Sequence, residues 1–406
     1  MIYLRGHTLC WTGLGVLTLG FLFHAGTRYG QTRLLGFSSR WRPRPLQDLR
    51  TWKPGASVNW VWEPATTRLP ESTTKSEQER FLGDQYGQDN TYCNLSCPTG
   101  IRQKVAGTAF NSTFLKNIPV LQWAWHARTE EYERLQLYSG AHGWQEVSWP
   151  VLRDALTLLN ASSNGCMFDT CPPVGGAACI CCAVVGNGGI LNDSQMGAEI
   201  DRHDYVFRVN GAITKGFERD VGSRTSFYVF STNTLMNSLR SYARNGFRTL
   251  PQSPETRYIF LPDHDRDYLL LHAAITRSPV ATGRDKGTRP EKLFGENLSA
   301  ARFKLLHPDF IRYLRNRFLH SAILSTSWRR LYRPSTGAVM LLAALHTCDK
   351  VSAYGFITPD YQAYSDHYFD RKHKPVGFYT NHDMRLEITL WQRLAQSGLL
   401  SLYSRK

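Results

Sequence analysis

The sequence predicts an α/β protein with a central, mostly parallel sheet flanked by helices, and three observations support this class. An apolar run at residues 183–185 is followed by a glycine turn, a polar segment rich in helix-capping residues, and an alternating run that ends at Asn210. Strand-like runs recur at residues 224–230, 257–261 and 351–356. An apolar helix follows Ser335 and Thr336, which are both good N-caps. This alternation is typical of a Rossmann-like, nucleotide-binding α/β unit.

The glycine turn, Gly-Asn-Gly-Gly at residues 186–189, ends the first predicted strand. Glycine permits positive φ angles and lets the backbone approach a ligand closely. The turn does not match the dinucleotide-binding fingerprint, so on its own it fits a structural role equally well. We expect Asn192, Asp193 or Ser194 to cap the next helix, which then ends near residues 201–204.

The bulk composition indicates a folded protein that attracts anions. A chain of 406 residues has room for one large or two ordinary domains, and a hydrophobic content of 42% supports a real core. The 48 basic and 33 acidic residues give a net charge of +15. Because the basic residues are dispersed rather than grouped in a long block, we expect an anionic small substrate and no nucleic-acid partner.

The amino-terminal region predicts a membrane anchor followed by a stem. Residues 8–23 carry no charge; they are short for a membrane span and long for a signal-peptide core. A cleaved signal peptide is the alternative, but the region behind this segment lacks a clean cleavage site. We predict a cytoplasmic tail at residues 1–7, a signal-anchor at 8–25, a proline-rich lumenal stem at 26–90 and the catalytic domain at 91–406.

Two signals conflict on the orientation of this anchor. Five arginines follow the apolar segment and one precedes it, so positive-inside counting would keep the domain in the cytosol. Large domains can cross regardless of flanking charge, however, and five glycosylation sequons indicate a lumenal domain. Their acceptor residues are Asn94, Asn111, Asn160, Asn192 and Asn297.

Eight cysteines lie outside the predicted anchor, which suggests disulfides in a secretory compartment. The cluster at residues 166–182 lacks the paired C-x-x-C spacing of a zinc site, so we expect no metal there. Cys348 stands far from the others. Its partner could come from this cluster, or be Cys93 or Cys97.

Further chemistry is indicated by four short stretches. The segment Arg333-Pro334-Ser335-Thr336-Gly337 precedes the apolar helix, whose free amides suit an anion, although a plain capped core helix is the alternative. His367 and His382 each lie beside carboxylates, and Glu387 could bridge to His382 across one helix turn. Asp263 and Asp265 form an Asp-x-Asp pattern that suits a hard cation. We favour a charged loop there, partly neutralised by Arg266.

Together these segments resemble the animal sialyltransferases. Residues 182–230 resemble their long donor-binding motif, and residues 334–355 resemble the small motif. His367-Tyr368-Phe369-Asp370 matches the third motif, and His382 with Glu387 matches the very small motif. Within the family, the N-acetylgalactosaminide α-2,6-sialyltransferases are the most similar, and the short stem resembles their type 2 form. The resemblance implies a variant of the GT-A glycosyltransferase fold.

The resemblance also implies roles for individual residues. His382 would be the catalytic base and His367 would lie beside the phosphate, with Tyr368 and Glu387 in support. The donor, CMP-sialic acid, would bind to Asn187, Asn210, Ser335, Thr336, Gly337 and Gly355. Disulfides would join Cys182 to Cys348 and Cys97 to Cys179. Gly188 departs from the family pattern, since many relatives have serine there.

The implied reaction transfers sialic acid to the 6-hydroxyl of a GalNAc linked to Ser or Thr, with inversion and without a metal or other cofactor. The implied location is the Golgi membrane, as a single-pass type II protein with O-glycosylated glycoproteins as acceptors. Three alternatives stay open at this point: transfer to galactose or to sialic acid, a metal-dependent transferase that uses Asp263 and Asp265, and a protein that binds without catalysis.

Overall fold

The computed structural model describes residues 85–89, 97–170 and 179–405. The predicted tail, the anchor, most of the stem, Asn94, Cys93 and Cys171 lie outside these ranges. Within them, no helix has both the length and the apolar character that a membrane crossing requires.

One eight-stranded sheet forms the centre of the described protein. The strands are β1 Leu121–Gln122, β2 Cys181–Val185, β3 Tyr205–Val209, β4 Phe227–Phe230, β5 Arg257–Phe260, β6 Phe303–Leu306, β7 Lys350–Tyr354 and β8 Ser401–Leu402. Their order across the sheet is β1-β6-β5-β4-β3-β2-β7-β8. All neighbours are parallel except β1 and β6. The predicted mostly parallel α/β sheet is therefore confirmed.

Helices cover both faces of this sheet. They are α1 Ile101–Lys104, α2 Thr129–Leu135, α3 Trp149–Leu156, α4 Ser162–Gly165, α5 Gly197–Asp201, α6 Glu218–Val221, α7 Thr232–Ser241, α8 Asp265–Thr276, α9 Glu291–Phe294, α10 Pro308–Tyr313, α11 Thr336–Thr347 and α12 Met384–Gln396. Alternate residues of β2 belong to opposite cores, since Val184 packs with α11 and α12 while Val185 packs with α3 and α8. The result is a three-layer sandwich, as expected for parallel strands that are buried on both faces.

Two helices differ from the sequence-based expectations. The helix after the glycine turn begins only at Gly197, and its N-cap position, Met196, makes no side-chain cap bond. The expected capping residues form a loop instead, in which the Asp193 amide donates to the Asp220 carboxylate at 2.9 Å. The helical spacing of Phe310, Ile311, Leu314 and Phe318 predicts one helix over residues 307–319. The α-helix extends only as far as Tyr313, and the chain continues as a π-helix, Leu314–Phe318.

Two disulfides join distant parts of the described chain, and they are the two that the resemblance implies. Cys182 bonds Cys348 across 166 residues, and Cys97 bonds Cys179 across 82. Cys166 and Cys181 are free thiols. The second disulfide also excludes Cys179 from a cysteine-only metal cluster.

The end of the predicted stem contacts the folded body. The Gly87 amide donates to Asp309 at 2.7 Å, and the Asp89 amide donates to the Asn117 carbonyl at 2.8 Å. Residues 85–89 are therefore packed against the domain that follows them. The four described sequon asparagines, at positions 111, 160, 192 and 297, are exposed.

Candidate active site

A cavity of about 600 Å³ opens at the carboxyl ends of the parallel strands. The cavity lies where β2 and β7 are neighbours. After β2 the chain continues to β3 on one side of this pair, and after β7 it continues to β8 on the other side. In open α/β sheets such a switch point is the usual ligand-binding crevice. The predicted donor and catalytic residues all line it: Asn187, Asn210, Ser335, Thr336, Gly337, Gly355, His367 and His382.

Glycines in the cavity wall let two loops come into backbone contact. The Gly186 amide donates to the Tyr354 carbonyl at 2.8 Å, and the Gly188 amide donates to the Gly355 carbonyl at 3.0 Å. A Cβ on Gly186 or Gly188 would lie 2.6 Å from the Gly355 oxygen, closer than real Cβ atoms come. Positive φ angles were expected for the glycine turn, and this expectation is wrong for Gly186 and Gly188. In this contact it is Gly355 that has a positive φ angle, +69°. A serine in place of Gly188 would therefore require a shift of the loop around Gly355.

Two buried asparagine oxygens in the cavity have no hydrogen-bond partner within the described residues. The Asn187 side-chain amide donates to the Val209 carbonyl at 3.2 Å, which leaves its Oδ1 for a ligand. Asn210 ends β3 in the left-handed region, at φ +51°, a conformation that asparagine tolerates better than most residues. Because an unpaired buried acceptor is costly, both oxygens indicate a ligand that carries hydrogen-bond donors.

The amino terminus of α11 forms the opposite wall. Ser335 is its N-cap, and its Oγ accepts from the Ala338 amide at 3.0 Å. A Cβ on Gly337 would meet nothing closer than 3.7 Å, so the space above the first turn is open. Free amides at the start of this 12-residue helix suit an anion.

Glu387 joins α12 to this helix start. Its carboxylate accepts from the Ser335 amide at 3.0 Å and from the Ser335 hydroxyl at 2.8 Å. The Ser335 hydroxyl donates its proton to Glu387, so the Thr336 and Gly337 backbone amides are the hydrogen-bond donors left for a ligand at this helix start. Burial raises the pKa of Glu387 to about 7. The suggested bridge between Glu387 and His382 is wrong, because α12 begins at Met384 and each side chain has another partner.

The His382 ring is fixed by the backbone of Arg333. Its Nδ1 lies 2.9 Å from the Arg333 carbonyl. A carbonyl oxygen only accepts, so Nδ1 carries the proton and Nε2 of the neutral ring is an acceptor. The side-chain amide of Asn381 lies 3.4 Å from this Nε2, at the cavity wall. Burial lowers the pKa of His382, although the hydrogen bond to the Arg333 carbonyl raises it; the charge of Arg333 is a smaller lowering effect. The arrangement can therefore provide a neutral imidazole base at the cavity wall.

His367 lies on another wall, within an aromatic and acidic environment. Its ring stacks on Phe369 with centroids 4.9 Å apart, and its Nε2 is 3.4 Å from the Tyr242 hydroxyl. Its Nδ1 is 3.5 Å from Asp366 and has no hydrogen-bond partner in the described chain. Burial lowers the pKa of His367 in spite of the nearby carboxylates. Tyr368 does not line the cavity; its hydroxyl donates to the Ile213 carbonyl at 2.6 Å and anchors the loop.

The two carboxylates of the Asp-x-Asp pattern have different surroundings. The Asp263 carboxylate forms an ion pair with Arg333, whereas Asp265 is exposed on the first turn of α8. Arg266 was expected to neutralise this pattern in part. Its guanidinium binds Asp285 through two contacts of 2.8 Å and acts on Asp263 only through its charge. No group of three potential metal ligands occurs among the described residues.

Several cavity residues were not predicted from the sequence. One face of α7 contributes polar side chains, and the loop before His382 contributes Tyr379, which is 62% exposed, and Asn381. The α7 residues are Asn233, Thr234, Asn237 and Ser241. These residues could have been predicted from the sequence. Asn233, Asn237 and Ser241 are spaced by four residues, so they share one face of a helix, and this helix directly follows the carboxyl end of β4, where the cavity opens.

The family model that matches this chain is glycosyltransferase family 29 (sialyltransferase), over residues 121–399. The match contains β2 to β7 and both histidines. The chain is 54% identical over 296 residues to the mouse protein named alpha-N-acetylgalactosaminide alpha-2,6-sialyltransferase 2, covering 73% of this chain and 79% of that protein. It is 40% identical over 341 residues to the chicken protein named alpha-N-acetylgalactosaminide alpha-2,6-sialyltransferase 1, covering 83% of this chain and 60% of that protein.

Solved structures are similar as well. A crystal structure of a mammalian sialyltransferase covers 78% of this chain with a TM-score of 0.55 and 25% identity. A crystal structure of a mammalian sialyltransferase in complex with Gal-beta-1-3GalNAc-ortho-nitrophenol gives a TM-score of 0.54 and 25% identity over 77% of this chain. All of that second chain is covered, so the similarity includes its whole fold.

Proposed function

The chain belongs to glycosyltransferase family 29, the sialyltransferases, and from that premise we propose that it transfers sialic acid from CMP-sialic acid to GalNAc. The acceptor is a GalNAc O-linked to Ser or Thr of a glycoprotein, and the new linkage is α-2,6. The names of the relatives at 53–54% identity support this linkage and acceptor. The family membership and the parallel sheet support a variant of the GT-A fold.

One observation carries the proposal: a single cavity contains donor-side acceptors, an anion-binding helix start and a neutral imidazole. The unpaired oxygens of Asn187 and Asn210 fit the hydrogen-bond donors of a cytidine nucleotide. The amides at Thr336 and Gly337 fit its phosphate. His382 then faces the space that is left for the acceptor.

The chemistry follows from these positions. The acceptor 6-hydroxyl is a weak nucleophile, and Nε2 of His382 takes its proton as the oxygen attacks the anomeric carbon of the donor. The bond from that carbon to the phosphate oxygen breaks as the new glycosidic bond forms, so the configuration inverts. The α11 amides and His367 stabilise the negative charge on the departing CMP. We assign no step to a metal ion or other cofactor.

We further propose that the protein is a single-pass type II protein of the Golgi membrane. The uncharged segment at residues 8–25 would be the anchor, residues 1–7 the cytoplasmic tail, 26–90 the stem and 91–406 the lumenal catalytic domain. Disulfides and exposed sequons in the described domain support a lumenal environment.

Two alternatives make different predictions. Transfer to galactose or to sialic acid would use the same donor cavity and differ only in the acceptor. A metal-dependent transferase that uses Asp263 and Asp265 would need both carboxylates free, but Asp263 is paired with Arg333. EDTA titration separates this alternative, because our proposal predicts no loss of activity.

The deciding experiment incubates the full chain with CMP-sialic acid and a panel of mucin-type glycopeptides, followed by linkage analysis of the products. We expect α-2,6-linked sialic acid on peptide-linked GalNAc. The panel contains glycopeptides whose GalNAc carries galactose and glycopeptides whose GalNAc does not. Sialylation of galactose or of sialic acid alone would replace the proposed acceptor. No transfer from the donor to any acceptor would reject the function.

A further inference from the structure

Arg333 lies just before α11 and contacts the segment before α12 that carries the proposed base. Its backbone amide donates to the Asn381 carbonyl at 3.1 Å, and its carbonyl accepts from Nδ1 of His382 at 2.9 Å. Both backbone groups of this one residue therefore bind the short segment that carries the proposed base. The position of the His382 ring depends on where the Arg333 backbone lies.

The side chain of Arg333 is anchored elsewhere, at Asp263. The guanidinium binds the Asp263 carboxylate, and the two side chains are 20% and 10% exposed. Asp263 is itself fixed, because its amide donates to the buried carboxylate of Asp267 at 3.0 Å. The same carboxylate accepts from the Thr232 amide at 2.6 Å, at the start of α7. The anchor is thus part of the sheet edge that lines the cavity.

The neighbours of Arg333 are held separately, because the buried Tyr332 donates its hydroxyl to the Leu319 carbonyl at 2.6 Å and Ser335 binds Glu387. The ion pair with Asp263 therefore acts on the Arg333 peptide that lies between them. Residues 325–328, which approach Arg333 from the amino-terminal side, are exposed. Without a fixed guanidinium, the Arg333 peptide would move more freely, and the imidazole that depends on its carbonyl would move with it. A misplacement of about 1 Å at such a position costs roughly a hundredfold in rate.

We propose that Asp263 is a positioning residue for His382 and acts through Arg333. It keeps the Arg333 carbonyl on Nδ1, so that the ring stays in the tautomer with an unprotonated Nε2. The proposal deepens the proposed function and depends on it, since it takes His382 as the base. It also gives the two carboxylates of the Asp-x-Asp pattern different roles, because Asp263 binds Arg333 and Asp265 does not.

Asp265 provides a matched control. It lies two residues away, on the exposed first turn of α8, and makes no ion pair within the described residues. Asp263→Asn and Asp265→Asn remove the same charge at positions two residues apart. A metal-binding role for the pair would make the two substitutions equivalent, whereas a positioning role makes them different.

The test compares kcat, the KM for CMP-sialic acid and the Kd for CMP in the full-length wild type and both variants. We expect Asp263→Asn to lower kcat roughly tenfold to a hundredfold. The KM and the Kd for CMP should stay within about twofold, because the donor contacts are intact. Asp265→Asn should match the wild type, and Asp263→Glu, which keeps a carboxylate, should retain more activity than Asp263→Asn.

The pH dependence of kcat adds a readout that a general loss of folding would not give. Arg333 is the charged side chain, among the described residues, that shifts the pKa of His382, and it lowers it. Loss of the Asp263 charge leaves that cation unbalanced, so the pKa of His382 should fall further. Glu387, His367 and Asp366 also line the cavity and are the same in both variants. Asp267, whose pKa burial and the charge of Asp263 raise to about 7, loses that influence in Asp263→Asn, so the shift of His382 is measured from the NMR titration of its own ring.

Equal kcat values for the two asparagine variants would overturn the proposal, as would a parallel loss of CMP binding in Asp263→Asn. If the wild type transfers no sialic acid, the proposed function fails, and the tautomer of His382 still decides the positioning role. Nitrogen-15 chemical shifts of the imidazole, assigned by comparison with His382→Ala, report it directly. A protonated Nδ1 in the wild type with a mixture of tautomers in Asp263→Asn supports the proposal, and identical spectra refute it.

Discussion

Glu387 offers a quantitative test of how the site is built, because its carboxyl group is buried beneath the start of α11 at 3% exposure. Burial raises its pKa from 4.5 to about 7. The folded pKa lies above the unfolded value, so the folded state binds the proton more tightly between about pH 4.5 and 7. The stability that this group contributes is therefore complete below about pH 4.5 and is lost as the pH rises through about 7.

The size of the effect follows from this pKa difference. It corresponds to about 3 kcal/mol, of which most falls between pH 5 and 8. Glu387→Gln keeps the shape of the side chain and removes the titration. We expect the wild type to lose about 2–3 kcal/mol relative to this variant between pH 5 and pH 8, or roughly 5 °C in the melting temperature.

The assay is thermal unfolding of the full chain in detergent, followed by intrinsic fluorescence at both pH values. Glu130→Gln is the matched control, since Glu130 is an exposed residue on the first turn of α2. Its difference from the wild type should not change with pH. A Glu387→Gln variant that becomes less stable than the wild type as the pH rises would refute the argument, because the two hydrogen bonds from Ser335 would then outweigh the cost of burial.

Three further predictions concern catalysis and folding. His382→Ala should lower transfer by about a factor of 10² to 10⁴ while CMP binding is retained, and turnover like that of the wild type would contradict its role as base. His367→Ala should also slow turnover, through the loss of a group near the departing phosphate; an unchanged kcat would exclude this role. Cys182→Ser should lower the free energy of unfolding by about 5 kcal/mol in the chain-entropy model, because the Cys182–Cys348 disulfide closes a 166-residue loop. A loss no larger than that of a surface substitution would contradict that estimate.

Much of the sheet could be predicted because its central strands are short apolar runs between turn residues. The runs at residues 183–185, 205–209 and 257–261 all lie in strands, with ends shifted by a residue or two. Strand β6 was missed because its sequence, Phe-Lys-Leu-Leu, contains a charge. The structure buries that lysine, Lys304, completely and pairs its Nζ with Asp169 at 3.0 Å. No local pattern predicts such a partner.

The candidate site shows the same difference: residues in short local motifs could be predicted, whereas their partners far away in the sequence could not. Gly355, the Ser335 N-cap and the two histidines were predicted because each lies in a short, recognisable segment. The partners of those residues were not predicted, since they are set by the tertiary fold. Arg333 and Asp263 are 70 residues apart, and Glu387 and Ser335 are 52 apart. The polar side chains that position the site were therefore visible in the sequence, but their pairing was not.

The Cys182–Cys348 disulfide lies at the other end of the strands from the cavity, so it cannot act by touching a ligand. Cys182 pairs with Val351 in the register of β2 and β7, and the two strands run parallel to Val185 and Tyr354, just before the glycines that meet in the cavity wall. A shift of one residue in this register would move every side chain to the opposite face and separate Gly188 from Gly355. The disulfide joins the chain at the amino ends of both strands, which excludes such a shift. The covalent bond at the amino ends of the strands therefore acts together with the strand pairing to fix the backbone contact between the two loops at the cavity.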